Sequence, residues 1–429
     1  MTDQIYFNDV KNCRLCGSSD LTPYLNLGNM PLVNRLLTAP GDWDPKFPLE
    51  VYHCGKCSQS QLGIVVDPKV LFSDYPYRSS MSRTYIRHCF DMAELAKEQL
   101  GMSRGDLVVD IASNDGALLK QFKGFGVRVL GVDPASNLAK IATEEGVPTL
   151  AEFWPGDIPE RILQNYGPAK IITATNVFAH VSDVHEFLKG VSTLLAGDGT
   201  FIVEFPYMVD LIESGCFDTI YHEHLSYFLV GPLIKLFEEH DLKVSMADRL
   251  PIHGGSVRLY ITKNGQIDSS VRELVEMERA QGYHTFDLYS RFSEKIGNVK
   301  RDLLSLLYTI RNRGESIAGF GAAAKGTILL NYCDIGPETI PFIFDDTPEK
   351  QGLYIPGVHI PIVPRAELDE RRPDNLLVLP WNFLTEIVSR TATFGGSYIV
   401  VMPEMKVLKP ERTAEIHISH DTVKVKTIV

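Results

Sequence analysis

The chain has 429 residues, 44% hydrophobic and 22% charged, the composition of a folded globular protein and, at about 150 residues per domain, of roughly three domains. Its 42 Lys and Arg against 54 Asp and Glu leave a net charge of −12, the wrong sign for gripping a polyanionic backbone, so nucleic acid is not expected as the main partner. The sequence has no unbroken apolar run of about 18 residues, and the start MTDQIYFNDVKNC carries acids and amides where a signal peptide needs a basic start and an apolar run; the expectation is a cytoplasmic protein, monomeric or a small homo-oligomer, with no membrane partner.

Residues 1–72 are rich in turns (NLGNMP, TAPGDWDP, VDPKV), with only short apolar stretches between them, and predict little core. They contain two matching pairs, Cys13-Arg-Leu-Cys16 and Cys54-Gly-Lys-Cys57. Two-residue spacing lets both thiolates of a knuckle reach one tetrahedral ion, and four thiolates leave no open position, so the prediction is a structural Zn²⁺ rather than a catalytic one. The 37 residues between the pairs exceed the usual span of about 15–20 and point to a loosely built zinc module with an inserted loop. The other three of the seven cysteines, Cys89, Cys216 and Cys333, stand alone.

An aromatic junction, with Tyr75, Tyr77 and Tyr85, leads into residues 73–264. There LVVDIA, VRVLGVD, VPTLAEF, KIITATN and FIVEFP alternate with segments of helical period such as SNLAKIATEEG, which predicts a parallel sheet covered by helices. After a loop-rich insertion at 206–240, KVSMADRL and SVRLYIT flank PIHGG as a hairpin and append antiparallel strands to the sheet edge. Residues 265–314 read as a connector of one or two long helices ending at Gly314. From 315 to 429, SIAGFGAAAKG, PFIFDDTP, NLLVLPWN and SYIVVMPE predict a third, α/β unit. The expected fold class is therefore α/β in three domains: a small zinc module, a central Rossmann-like sheet and a C-terminal Rossmann-like domain.

The first strand-turn-helix carries the first chemical signal. Asp110 ends a buried strand, and Ala112, Asn114 and Gly116 occupy the places where a dinucleotide fingerprint has three glycines. Asp110 and Asp115 disfavour a pyrophosphate over this turn. A cationic ligand suits it, and S-adenosylmethionine offers a sulfonium and an ammonium. Asp133 ends the second strand, 23 residues after Asp110, where an acid can accept both ribose hydroxyls, and Phe153 follows the third strand, placed to cover the adenine. The antiparallel end of the sheet agrees with a methyltransferase rather than a dehydrogenase.

The second signal is the pair of segments ATNVFAH, ending at His180, and DTIYHEH, with Tyr221, His222, Glu223 and His224. Both follow strands whose C-terminal ends should border one site. Imidazole, phenol and carboxylate together suit proton removal and stabilisation of an oxyanion. A metal pair through His222 and His224 lacks a third ligand of recognisable spacing.

In this order of motifs the chain resembles, over essentially its whole length, the sugar C-methyltransferases that act on nucleotide-linked 4-keto-deoxy sugars. The resemblance is carried by C13RLC with C54GKCSQSQLG, Y75PYRSSMS, D110IASNDGALL, N176VFAHVSDVHEF, E204FPYMVDLIE, F217DTIYHEHLSYF, H253GGSVRLY, A318GFGAAAKGTILLNY and Y354IPGVHIPI. Ala112 departs from it, because the family commonly has Gly there. The resemblance implies that His224 removes the C-3′ proton, with Tyr221 and Glu223 positioning it and the sugar. It also implies that His180 faces the 4-keto oxygen and that Tyr75, or in its place Tyr77, contacts the sugar. Asn176 joins the cofactor-binding set. In the C-terminal domain, Lys325 or the amides of residues 321–324 are candidates to neutralise the substrate diphosphate. Two other readings remain at this stage, an NAD-dependent oxidoreductase using either glycine-rich turn and a non-enzymatic zinc-knuckle binding protein.

Overall fold

The computed structural model describes residues 6–73, 75, 78–410 and 425–427. They divide into two compact units: residues 1–23, 51–209 and 223–288 form the first, and 24–50, 210–222 and 289–429 the second.

The first unit is built on a seven-stranded sheet. Its parallel core runs, in spatial order, Leu195–Pro206, Ala169–Thr175, Leu107–Ile111, Arg128–Val132 and Thr149–Leu150. On the far side of Leu195–Pro206 the strand Ser256–Thr262 pairs antiparallel, and Lys243–Leu250 pairs antiparallel with that strand in turn. The chain thus enters the sheet at its centre, winds outward in both directions and closes with a reversed strand, as the hairpin around PIHGG predicted. The central strand Leu107–Ile111 is buried at every position, which is why it reads as a continuous apolar run rather than an alternating one.

Helix Arg83–Gln99 covers one face. Ser82 caps it by accepting from the Tyr85 amide, and Tyr85, Cys89, Met92, Ala93 and Ala96, spaced at three and four residues, face a core shared with Val108, Leu118, Phe122, Ile171 and Ile202. The lone Cys89 is a packing residue there. The cysteine knuckles belong to the same unit. Val51, Tyr52 and His53 pair antiparallel with Leu62, Gln61 and Ser60, and Ser60–Leu62 pairs on its other side with the two-residue strand Ser226–Tyr227. Near the knuckles, Phe7–Asp9 pairs with Ile64–Val66.

The N-terminal segment departs from its sequence reading. NLGNMP is not a break: it lies inside the eleven-residue strand Leu21–Pro31. Gly28 there has φ +84 and its amide is held by Asn26 Oδ1, so the glycine bends a strand instead of ending it. The 37 residues between the knuckles consequently contain two long strands, Leu21–Pro31 and Lys46–Cys54, with Leu25, Leu27, Met30, Leu49 and Val51 all buried.

The second unit centres on a sheet in which Ile362–Pro364, Ile343–Asp345, Ile317–Phe320, Asn375–Val378 and Ser397–Val400 run parallel, followed by antiparallel Lys406–Pro410 and Val425–Thr427. Phe320, Phe344, Leu376, Val378, Tyr398 and Val400 form one of its cores. Part of the inserted N-terminal segment packs here: Leu37 bridges to Tyr354, and Asp44 accepts from the Gly357 amide at 2.6 Å and from His359 Nε2 at 3.1 Å. The expected long helices are Ser269–Ala280, capped by Asp268, and Phe286–Asn312.

Candidate active site and metal centre

The turn after Leu107–Ile111 is held in left-handed backbone at three of its five residues, Ala112 (φ +57), Asn114 (φ +52) and Gly116 (φ +76). Helix Ala117–Lys123 follows directly. The turn lies across the second strand, where Gly131 leaves the room: a Cβ there would stand 2.4 Å from Ser113 Oγ. Asp133 binds the turn from the end of that strand, accepting from the Asn114 amide at 2.7 Å and the Ala135 amide at 2.8 Å. Asp110 accepts from Thr173 Oγ1 at 2.6 Å, and burial pushes its carboxyl up to about 7 against the pull of that hydrogen bond. Burial likewise raises Asp133, against the two amide hydrogen bonds.

Asp115 is fully buried, with Oδ2 facing Arg78 Nε at 3.5 Å and the Ser80 amide at 3.3 Å and with Oδ1 lacking a hydrogen-bond partner. Three carboxyl groups around one turn are the wrong donor set for a pyrophosphate and the right one for a ligand bearing an ammonium and a sulfonium. S-adenosylmethionine therefore fits this turn. Asn176, at the end of Ala169–Thr175, also has left-handed backbone (φ +56) and donates its amide to the Glu204 carbonyl at 2.7 Å. Phe153 is 41% exposed.

The segment after the zinc module closes on the same turn. The Ser79 amide donates to Asn114 Oδ1 at 2.9 Å. Tyr75 is clasped by Asn137, which donates to its carbonyl at 3.0 Å, and its hydroxyl donates to Glu223 Oε2 at 3.0 Å. His180 and His224 lie with ring centroids 5.0 Å apart, and Phe72 stacks on His180 from 5.5 Å. Burial, reinforced by His224, holds the His180 pKa well below 6.5, so this imidazole is neutral at pH 7. Tyr75, His180, Glu223 and His224, read from three separate segments, thus come together in the first unit. Tyr221 belongs to the second unit, and Tyr77 lies outside the described residues.

His222 has another role. Its Nε2 donates to the Phe47 and Pro48 carbonyls at 3.3 and 3.2 Å, its ring meets Phe47 edge-on, and burial lowers its pKa to about 4. It anchors the loop and does not pair with His224 around a metal. Among the described residues, the close group of metal-ligating side chains is Cys13, Cys16, Cys54 and Cys57, whose sulfurs all lie within 4.8 Å of one another. Cys13 to Cys57 is 3.5 Å and Cys16 to Cys54 is 3.7 Å. Tetrahedral zinc with bonds of about 2.3 Å requires sulfurs about 3.8 Å apart, so the four thiolates fit Zn²⁺.

One buried cluster escaped the sequence reading. Glu204, fully buried, is the cross-strand partner of Arg258. It accepts from Arg258 Nε at 2.9 Å and from His88 Nε2 at 2.8 Å. Burial works to raise this carboxyl, but His88 and Arg258 outweigh it and leave it lowered. The signal was a lone acid in FIVEFP facing a lone cation in SVRLYIT.

In the second unit, Lys325 Nζ stands 4.5 Å over the Trp381 ring, whose Nε1 donates to Asp218 Oδ2 at 2.8 Å. The amides of Gly321, Ala322 and Ala323 already donate to the Phe344 carbonyl, Asp345 Oδ2 and the Gly321 carbonyl. The turn at 321–324 therefore does not offer a row of amides to a diphosphate, and of the two candidates there the Lys325 side chain is the one left.

Residues 13–72 match a zinc binding domain family, residues 83–246 a methyltransferase domain family and residues 251–403 the C-methyltransferase C-terminal domain family. Over 412 residues the chain is 38% identical to the C-methyltransferase NovU of Streptomyces niveus, covering 94% of this chain and 98% of that one. The chain belongs to the C-methyltransferases. It is an S-adenosylmethionine-dependent member with a zinc-binding N-terminal module. Among solved structures, magnesium protoporphyrin IX methyltransferase of Synechocystis PCC 6803 overlays at TM-score 0.32 with 12% identity, over 42% of this chain and 79% of that one. The CcbJ methyltransferase of Streptomyces caelestis overlays at 0.32 with 11% identity, over 41% and 88%. No helix among the described residues of this C-methyltransferase is long and apolar enough to cross a membrane.

Proposed function

We propose that this C-methyltransferase adds a methyl group to C-3′ of a nucleoside-diphosphate 4-keto-6-deoxy sugar, a step of branched deoxysugar biosynthesis in the cytoplasm. The observation that carries the reading is the convergence of His180, His224, Tyr75 and Glu223 beside the turn that suits the methyl donor. Asp110, Ala112, Asn114, Gly116, Asp133, Phe153 and Asn176 would hold S-adenosylmethionine, which would supply an electrophilic methyl to C-3′ and leave as S-adenosylhomocysteine. A ketone at C-4′ acidifies the C-3′ hydrogen. His224 takes that proton, and neutral His180 donates its N–H to the oxygen on which the enolate charge develops. A neutral imidazole suits that role because it keeps a donor without competing for the proton. Glu223, hydrogen-bonded to Tyr75, and Tyr221 position the base and the sugar, and Tyr75, or in its place Tyr77, contacts the sugar. Lys325 offsets the diphosphate charge. In this reading residues 1–72 hold zinc, 73–264 the chemistry, 265–314 form a helical connector, and 315–429 serve the substrate.

The test is mass spectrometry of a panel of nucleotide 4-keto sugars incubated with labelled S-adenosylmethionine. The expected product gains one methyl that survives conditions cleaving methyl ethers. His224→Ala is expected to lose turnover by at least about 100-fold while cofactor affinity stays unchanged. Turnover at the wild-type rate would remove His224 from the role of base.

A further inference from the structure

We propose that Arg14, inside the first cysteine knuckle, is a positioning residue for methyl transfer that holds the chain segment carrying His224. The inference rests on His224 being the base. Arg14 lies between Cys13 and Leu15 and is 8% exposed. Its guanidinium reaches three backbone carbonyls: Nη1 donates to Leu62 at 2.9 Å and to Leu225 at 3.0 Å, and Nη2 donates to Ile64 at 3.3 Å. Its own amide is fixed by Gln61 Oε1 at 2.8 Å.

Leu225 is the residue after His224. Its carbonyl accepts from the Leu62 amide at 2.9 Å as well as from Arg14, and its amide donates to the carbonyl of Ala179 at 2.8 Å. Ala179 is the residue before His180. A single residue, Leu225, therefore ties the backbones of the two histidines together through its amide and anchors them to the zinc module through its carbonyl. Beyond it, Ser226 and Tyr227 continue as a strand on Gln61 and Ser60, so Arg14 holds the chain where the His224 segment enters that ladder.

A buried guanidinium whose acceptors are all carbonyls is a costly way to join strands that already pair. What it adds is direction: a planar fork with several donors fixes where the Leu225 carbonyl points, and with it the residue that directly follows His224. The two flanking zinc ligands, Cys13 and Cys16, fix Arg14 in turn. The zinc module is thereby a support for the base, because a displacement of about 1 Å at a reacting group is enough to cost orders of magnitude in rate.

The experiment compares full-length, zinc-loaded wild type with Arg14→Ala, Arg14→Lys and His224→Ala. For Arg14→Ala, kcat is expected to fall about 10–100-fold, with sugar KM, S-adenosylmethionine Kd and one zinc per chain preserved. Arg14→Lys keeps the charge but reaches fewer of the three carbonyls, so its kcat should fall less than that of the Ala variant and still clearly below wild type. Wild-type kcat in whichever Arg14 variant folds overturns the proposal. So does a kcat loss matched by loss of zinc or of cofactor affinity, which would make Arg14 a fold residue only. Turnover surviving in His224→Ala would instead overturn the base assignment, an outcome that the Arg14 variants cannot mimic.

Discussion

Ala112 shows how one backbone angle links fold and chemistry. At φ +57 its methyl crowds the following carbonyl, a strain of about 1–2 kcal/mol that glycine does not suffer. Part of the relief is offset by the greater freedom of glycine in the unfolded chain. Ala112→Gly is therefore expected to stabilise the protein by about 0.5–1 kcal/mol, read from denaturant titration. A loss of stability would show that the methyl makes compensating contacts. If Asp110 holds the cofactor as proposed, it sets the pH dependence of that binding. With its carboxyl raised to about 7 by burial, it is neutral below that pH and anionic above, and only the anion attracts a cation. Affinity for S-adenosylmethionine should accordingly rise with pH up to about 7 and level off, and binding below that pH should release protons, measurable by calorimetry in buffers of different ionisation heat. Asp110→Asn should abolish the slope, and a slope unchanged in that variant would assign it to another group.

Elements differ in how openly the sequence announces them. Leu107–Ile111 with its turn was legible because burial on both faces demands an unbroken apolar run and because the turn admits only small residues. Leu21–Pro31 was not. Asn and Gly punctuate it, and only its pairing partners decide that they bend the strand rather than end it. The Glu204–Arg258 pair was visible as two isolated charges, but their alignment depends on strand register, which no local pattern states. The cysteine knuckles were fully legible, since two-residue spacing already fixes the ligand geometry. Replacing Cys13 and Cys16 by Ser is expected to remove the zinc, giving less than one ion per chain by elemental analysis, together with a lower melting temperature. Zinc retained at one per chain would mean that other residues hold it.

For the whole molecule, buried groups pull stability in acid in both directions: histidines that the fold keeps neutral lower it, while carboxyls that burial raises, Asp110 among them, add to it. Unfolded His222 takes a proton below about 6.5, whereas the folded residue does so only near 4. Its contribution is present above 6.5 and is lost progressively as pH falls toward 4, about 3 kcal/mol in all, and burial of His180 acts in the same direction. Denaturant titration should thus show that, between pH 7 and pH 5, the stability of His222→Asn changes less unfavourably than that of the wild type. An equal change in that variant would assign the effect elsewhere.

The division of the chain into units is likewise a whole-molecule property. The inserted residues 24–50 and the loop 210–222 fall in the same unit as the C-terminal sheet, while the knuckles and the 223–288 segment stay with the first unit. Sequence order alone would have kept each with its neighbours.

By itself the sequence determined the alternation of strands and helices with a hairpin at the sheet edge, the zinc ligands and the kind of ligand suited to the first turn. Each of these depends on residue type and local spacing, two residues inside each cysteine knuckle and 23 from Asp110 to Asp133, where sterics and coordination geometry act locally. Only the tertiary structure decided that Tyr75 meets Glu223, that His222 turns away to anchor the loop, and that an arginine between two zinc ligands grips the carbonyl of Leu225, the residue after His224. Those contacts join residues between 148 and 211 positions apart. Hydrogen bonds of such reach exist only once burial has removed water as the competing partner.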